Sequence, residues 1–195
     1  GELHGGALCF HQMMIPERMT SAAGCLGVWG ALDLAVRYSN RRAAFGRLIR
    51  KYPAIEFMVA DSITQLDAAR AITYMAARAV DAGYTNMRRI VSEAKRFSTE
   101  AAWNVVNNAM QIVGGIGYTD VYPLERALRD VRLALIWTGT SQIMNLMIQH
   151  EYYDEVLGQP YDRRHMDKDA MHPDESERCF TDDDMWTVHE GKPPR

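Results

Sequence analysis

The chain has 195 residues, 47% hydrophobic and 24% charged, an ordinary composition for a folded domain that buries its core without disulfide or metal staples. Its net charge of −3 hides an asymmetry: residues 1–150 carry 16 basic and 12 acidic side chains, residues 151–195 carry 6 and 13. Cations scattered over helix faces and followed by an acidic tail exclude a nucleic-acid binder.

Pro16 suits the first turn of a helix. From there Met19, Ala22, Ala23, Leu26, Trp29, Ala31, Leu34 and Val36 keep a loose 3.6-residue period that predicts a helix to about Ala44, stopping at Phe45-Gly46. Pro53 opens a second helix with Ile55, Met58, Val59, Ile63, Leu66, Ile72 and Met75 inward. It ends in "DAGYTN" (81–86), where Gly83 permits the left-handed C-terminal conformation. Asn86 is placed to cap a third helix, carried by Ile90, Ala94, Phe97, Ala101, Val105 and Ile112. "GGIGYTD" (114–120) breaks it. Pro123 opens a shorter helix to about Leu135, and Ser141 caps another to about His150. No β-hairpin signal is visible. The expected fold class is all-α: an antiparallel four-helix bundle over 1–150, followed by a polar, acidic tail over 151–195 that is extended or partly ordered.

Cys9, Cys25 and Cys179 show no paired spacing, so a disulfide framework is not expected and a reducing compartment fits. No apolar stretch reaches the roughly 18 residues of a membrane helix, and no signal peptide is seen. The opening "GELHGG" has loop chemistry and reads as a domain boundary within a longer protein. His165, His172 and Cys179 recur every seventh residue of the tail, but they form no compact ligand motif, and no metal site is assigned.

Four segments taken together, "PERMTSAAGCLGVWGALDLAVRYSNRRAAFG" (16–46), "AMQIVGGIGYTD" (109–120), "YPLERALRDVRLALI" (122–136) and "GTSQIM" (139–144), resemble the C-terminal helical domain of the acyl-CoA dehydrogenase family. They stand in family order with family-like spacing. The resemblance implies a flavoprotein oxidoreductase of fatty acid or acyl-CoA metabolism that binds FAD, oxidises an acyl-CoA between Cα and Cβ and passes electrons to an electron-transferring flavoprotein. It also implies a homotetramer or dimer, in the cytoplasm or, in a eukaryote, the mitochondrial matrix. The family's first two domains are absent from this chain, so any FAD site here is partial and the fragment is expected to be inactive alone.

Residue by residue, Arg42 matches the arginine of the family's R-x-x-F-G turn, which lies on the FAD pyrophosphate of a neighbouring subunit. A guanidinium engages phosphate oxygens bidentately; the alternative is a solvated arginine at a helix C-terminus. Phe45 reads as packing plus a flavin-side contact. Gln111, Gly114 and Gly115 match the Q-x-x-G-G segment that approaches the adenosine half of FAD, with simple helix termination as the alternative. Thr140 and Gln142 match the G-T-x-Q pattern near the diphosphate, where capping by Thr140 or Ser141 is the other role. Ala44 and Tyr52-Pro53 depart from the pattern where many members supply polar contacts to FAD. Trp137 either borders the flavin or packs in the core, and Arg129 with Asp130 reads as a structural ion pair.

Many members carry the catalytic glutamate immediately before G-T-S. This chain has Thr138 there, whose hydroxyl is too weak a base. Its backbone N–H is untouched by the change and remains able to donate to a thioester carbonyl. Other members keep the base in an E-R dipeptide on the domain's first long helix, where Glu17-Arg18 falls, making Glu17 the candidate base. Two alternatives stay open: Glu17 as an acid complementing a helix start, and a base in the absent domains. A non-catalytic scaffold or helper subunit that lost its base at position 138 is the competing function, and nitroalkane-oxidising relatives are a third class.

Overall fold

The computed structural model describes residues 5–157, with side chains described from Met13 onward; the tail beyond, including His165, His172 and Cys179, lies outside the described residues. The compact unit that begins at Met14 contains the packing discussed below.

Helix α1 spans Gly5–Cys25 and α2 spans Trp29–Ser39, joined by a tighter 3-10 turn at Leu26–Val28. The sequence expectation of one helix from Pro16 to about Ala44 is corrected at its start, in its middle and at its end, which falls at Ser39. Pro16 lies inside α1, giving up one backbone hydrogen bond there. Gly27 lies within the turn and Gly24 and Gly30 on either side of it, weakening helix propensity where the geometry changes. Beyond the turn Leu32 and Ala35 are buried while Val36 faces outward, and before it Ala23 is exposed.

The chain leaves α2 through a miniature hairpin, β1 (Ala43–Ala44) and β2 (Arg47–Leu48), antiparallel with Ala43 opposite Leu48 and Ala44 opposite Arg47. The expectation of no hairpin is therefore corrected. Its two turn residues, Phe45 and Gly46, have φ of 49° and 78°, the doubly left-handed turn that matches strand twist. The phenol of Tyr52 ties the turn down by donating to the Ala44 carbonyl at 2.8 Å.

Helix α3 (Pro53–Asp81) begins at its proline as expected and ends at Gly83, whose φ is 65°. Tyr84 N–H donates to Ala79 O at 3.0 Å and Gly83 N–H to Val80 O at 3.1 Å, the paired closure that satisfies the last carbonyls of a helix. Helix α4 (Met87–Val113) is the central element, packed against α2, α3, α5 and α6. Its inner stripe of small residues, among them Ala94, Ser98, Ala101, Ala102, Val105 and Ala109, lets neighbouring helices approach closely. Asn86 precedes it without a side-chain cap bond; its side chain serves Glu155 instead.

Helices α5 (Leu124–Ala134) and α6 (Ser141–Leu157) run back along α4. Leu124 packs at the Ala109/Ile112 end of α4, and Val131 and Ala134 pack beside Ala102. Further down, Arg89 on α4 holds Glu155 on α6 with two bonds of 2.6 and 2.9 Å. The α1–α2 arm, α3, α4 and the α5–α6 arm thus make the antiparallel four-helix bundle that the period predicted. Helix α6 runs to Leu157, past the expected end near His150. Arg129 and Asp130 do not pair with each other: Arg129 binds Glu125 at 3.1 Å and Asp130 meets Arg126 at 4.0 Å.

One sequence expectation about membranes is also corrected. The continuous helical stretch Met13–Ser39 has a window of mean hydropathy 1.4 and is long enough to cross a bilayer by length and composition alone. In the bundle its Ala22, Cys25, Leu32 and Ala35 are core residues, and a third of that window is buried.

Candidate functional site

The turn between α5 and α6 is one of two among the described residues that hold a non-glycine residue at positive φ. Thr138 has φ of 53° and Gly139 of 102°; a left-handed β-branched residue is costly, and persists only where its surroundings hold it. A side chain at Gly139 would place its Cβ 2.6 Å from the Met144 Cε, so glycine is needed there on both counts.

Three side chains from elsewhere grip this turn. Arg18, buried on α1, donates through Nε to Thr138 O at 3.3 Å and through Nη1 to the Ser92 hydroxyl at 3.5 Å. Lys95, buried on α4, donates from Nζ to Gly139 O at 2.6 Å. Trp137 Nε1 donates to the Ser21 hydroxyl at 3.1 Å, so the indole both packs on α1 and borders the space in front of it. Thr140 completes the turn: its Oγ1 accepts from Ile143 N–H at 3.3 Å, making Thr140 and not Ser141 the cap of α6.

That space is a cleft of about 730 Å³ between the α1–α2 arm and α5, lined among others by Glu17, Ser21, Cys25, Ala134, Trp137 and Thr138. Glu17 and Thr138, the two positions at which the resemblance looks for a base, therefore line one cleft. Glu17 is exposed and sits well inside α1, not at its start. A helix-dipole role falls off beyond the first turn, so the helix-start reading of this acid loses its basis. Thr138 Oγ1 is buried without a hydrogen-bond partner among the described residues, as is Ser141 Oγ. Burial pushes the Cys25 thiol up to about 11, so this cysteine lines the cleft as a neutral, inert side chain. Among the described residues no group of three His, Cys, Asp or Glu is arranged to hold a metal ion.

The remaining predicted residues are elsewhere. Arg42 is exposed beside the hairpin, its N–H bound to Tyr38 O at 2.9 Å and its carbonyl accepting from Ile49 at 2.9 Å. Phe45 is 98% exposed at the hairpin tip. Gln111, Gly114 and Gly115 are exposed at the C-terminus of α4, where Gly114 adopts φ 73° and ψ −150°, a conformation open in practice only to glycine. None of these lines the cleft. Gln142 is exposed on the first turn of α6. The structure thus joins Glu17 with Thr138 and leaves the hairpin and α4-end groups outside that cleft.

Lys95 escaped the sequence reading, which treated basic residues as solvated. The available signal was its position: it lies four residues after Val91 and seven before Ala102, on the apolar stripe of α4.

The strained turn at Thr138 thus borders a cleft that Glu17 also lines. Residues 4–153 match the family model described as acyl-CoA dehydrogenase, C-terminal domain. The chain belongs to this family, whose members are FAD-dependent. It is 40% identical over 149 residues to 3-(aryl)acrylate reductase of Clostridium sporogenes, covering 76% of this chain and 39% of the relative. It is 37% identical over 149 residues, again 76% and 39%, to subunit CarC of the caffeyl-CoA reductase–Etf complex of Acetobacterium woodii. Among solved structures, butyryl-CoA dehydrogenase from Megasphaera elsdenii superposes with a TM-score of 0.72 at 33% identity, over 76% of this chain and 39% of that one. The chain spans about two fifths of the length of the relatives it matches.

Proposed function

We propose that this chain is the C-terminal domain of an FAD-dependent acyl-CoA dehydrogenase and that it carries the catalytic base. In this reading the thioester lies in the cleft with its Cα between Glu17 and Thr138. The Glu17 carboxylate takes the proton from Cα, and the Thr138 N–H donates to the thioester carbonyl as negative charge develops on its oxygen. FAD, when bound, supplies the acceptor for the hydride leaving Cβ. The observation that carries the reading is that Glu17 and Thr138 line the same cleft.

The residues present fit an FAD shared between copies of the chain. Gly114 and Gly115 offer a bare backbone, Arg42 an exposed guanidinium, and Thr140 with Gln142 polar groups at a helix N-terminus. Because the hairpin and the α4 end lie outside the cleft, they would serve a dinucleotide held across a homo-oligomer, a tetramer or dimer. The fully exposed Phe45 supports such assembly. An electron-transferring flavoprotein is the proposed electron partner, in keeping with the Etf complex of the Acetobacterium relative. The reaction is placed in the cytoplasm, or in the mitochondrial matrix of a eukaryote.

Two of the relatives are reductases by name, and this favours a second reading in which the same site runs the other way. Glu17 would then deliver the proton to Cα of an α,β-unsaturated thioester, since a group that removes a proton in one direction must return it in the other.

The test is anaerobic titration of the complete protein with a panel of saturated and unsaturated acyl-CoA thioesters, comparing wild type with Glu17→Gln. The variant is expected to retain FAD and lose 10²–10⁴-fold in the rate of flavin reduction or reoxidation, the range for a general base. Equal rates place the base in the other domains. A wild type that assembles but responds to no thioester supports the non-catalytic scaffold.

A further inference from the structure

Lys95 is 0% exposed, in a helix face otherwise built of Ala, Val, Ile, Ser and Thr. Methionine would fill the same volume without the cost of desolvating an ammonium group, so packing does not account for the lysine. Its Nζ leaves the central helix to bond one atom of an irregular turn, the Gly139 carbonyl, at 2.6 Å. That turn needs holding, because Thr138 and Gly139 both sit at positive φ and relaxation of Thr138 to an ordinary conformation would swing its peptide away. Arg18 steadies the preceding carbonyl from α1 at the longer distance of 3.3 Å. Lys95 itself does not line the cleft, whereas Thr138 and Cys25, on either side of it, do.

We propose that Lys95 is a positioning residue for the reaction: by fixing the Gly139 carbonyl to α4, it holds the strained turn so that the Thr138 peptide faces the thioester. The inference rests on the function proposed above. A short charge-assisted bond from a rigid helix is suited to this task, and its loss should act on turnover, because misplacement by about 1 Å of a group that stabilises developing charge costs on the order of 100-fold. The partial loss of charge that burial imposes, with the Lys95 pKa lowered to about 8 and Arg18 adding to the effect, leaves a donor on Nζ in either protonation state.

The experiment compares wild type with Lys95→Met in the complete FAD-loaded protein. Three quantities are read: kcat and KM with an acyl-CoA thioester, flavin content, and amide hydrogen exchange over residues 136–143. The expected result is unchanged flavin content and little change in KM, with kcat down about 100-fold and faster exchange in the turn. A kcat at the wild-type level overturns the inference, and so does unchanged exchange over 136–143. Should Lys95→Met fail to fold, Lys95→Gln keeps a neutral donor on a shorter stem; it is expected to lower kcat less than a loss of the donor would, and wild-type kcat and exchange in it overturn the inference equally. If wild type turns over no thioester, the functional reading falls by itself, while the exchange measurement still decides whether Lys95 holds the turn.

Discussion

The two ends of α4 are built on different principles. Near Lys95 the chain completes its own structure: a strained turn is held by buried cations from two helices, and Trp137 and Thr138 line a cleft that Glu17 also lines. Near Val113 the chain leaves its groups in the open, with Phe45 98% exposed and Gly114 presenting bare backbone at φ 73°. Strain held from within costs stability that the same chain must offset. Groups exposed without partners act only when something else arrives. Under the proposed function, this contrast would give the proton chemistry to the single chain and the dinucleotide contacts to an assembly of chains.

Substitutions that act at one end only sharpen this comparison. The larger effect on stability is expected at Gly114. No atom lies within 4 Å of where its Cβ would be, so Gly114→Ala meets no clash and pays only for the backbone conformation, about 1–3 kcal/mol, measured by chemical denaturation of the complete protein. A loss below about 0.5 kcal/mol would show that this backbone is free to relax. Flavin content should fall with it, while the cleft residues stay in place. The smaller effect on stability is expected at Phe45. Phe45→Ser removes a side chain that touches little within its own chain, so the unfolding free energy should stay within about 0.5 kcal/mol. Flavin retention and the assembled fraction, read by absorbance and sedimentation, should both decline. If they do not, the exposed hairpin is not an assembly contact and the comparison fails at this end.

Much of the bundle was legible because local chemistry and tertiary packing agree. Pro53 starts α3 and Gly83 closes it through two specific backbone bonds. The 3.6-residue stripe of α4 is buried along its length, as Ile90, Ala94, Ala101, Val105 and Ile112 indicate. Misreadings arose where two rules compete at one residue. Pro16 is suited to a first turn, yet the helix continues in front of it, so its missing N–H is tolerated in the interior. Phe45-Gly46 turns a hairpin without the Asn-Gly or Asp-Gly signal, because the glycine supplies one left-handed residue and the Tyr52 hydroxyl helps fix the turn.

The candidate site divides in the same way. That Glu17 and Thr138 share a cleft agrees with what the family resemblance of their motifs implies, not with anything periodicity or spacing alone could give. That Thr140, not Ser141, caps α6 depends on backbone geometry at the turn, which spacing does not specify. Lys95 was invisible for a different reason: a lysine's surroundings depend on what the facing helices leave for it, and only its place on an apolar stripe marked it as inward. Arg129 and Asp130 show the opposite error, since adjacent residues on a helix point apart and each finds a partner one turn earlier.

The central claim is that one reacting carbon lies within reach of both position 17 and position 138. The direct measurement is the rate of flavin reduction by an acyl-CoA thioester in Glu17→Gln and in the double variant Glu17→Gln/Thr138→Glu, each in the complete FAD-loaded protein. The account predicts that the single variant is nearly inert and that the double variant regains a substantial part of the lost rate, because a carboxylate returns to the same cleft from position 138. A Glu17→Gln protein as fast as wild type would contradict it, and so would a folded, flavin-replete double variant as inert as the single one.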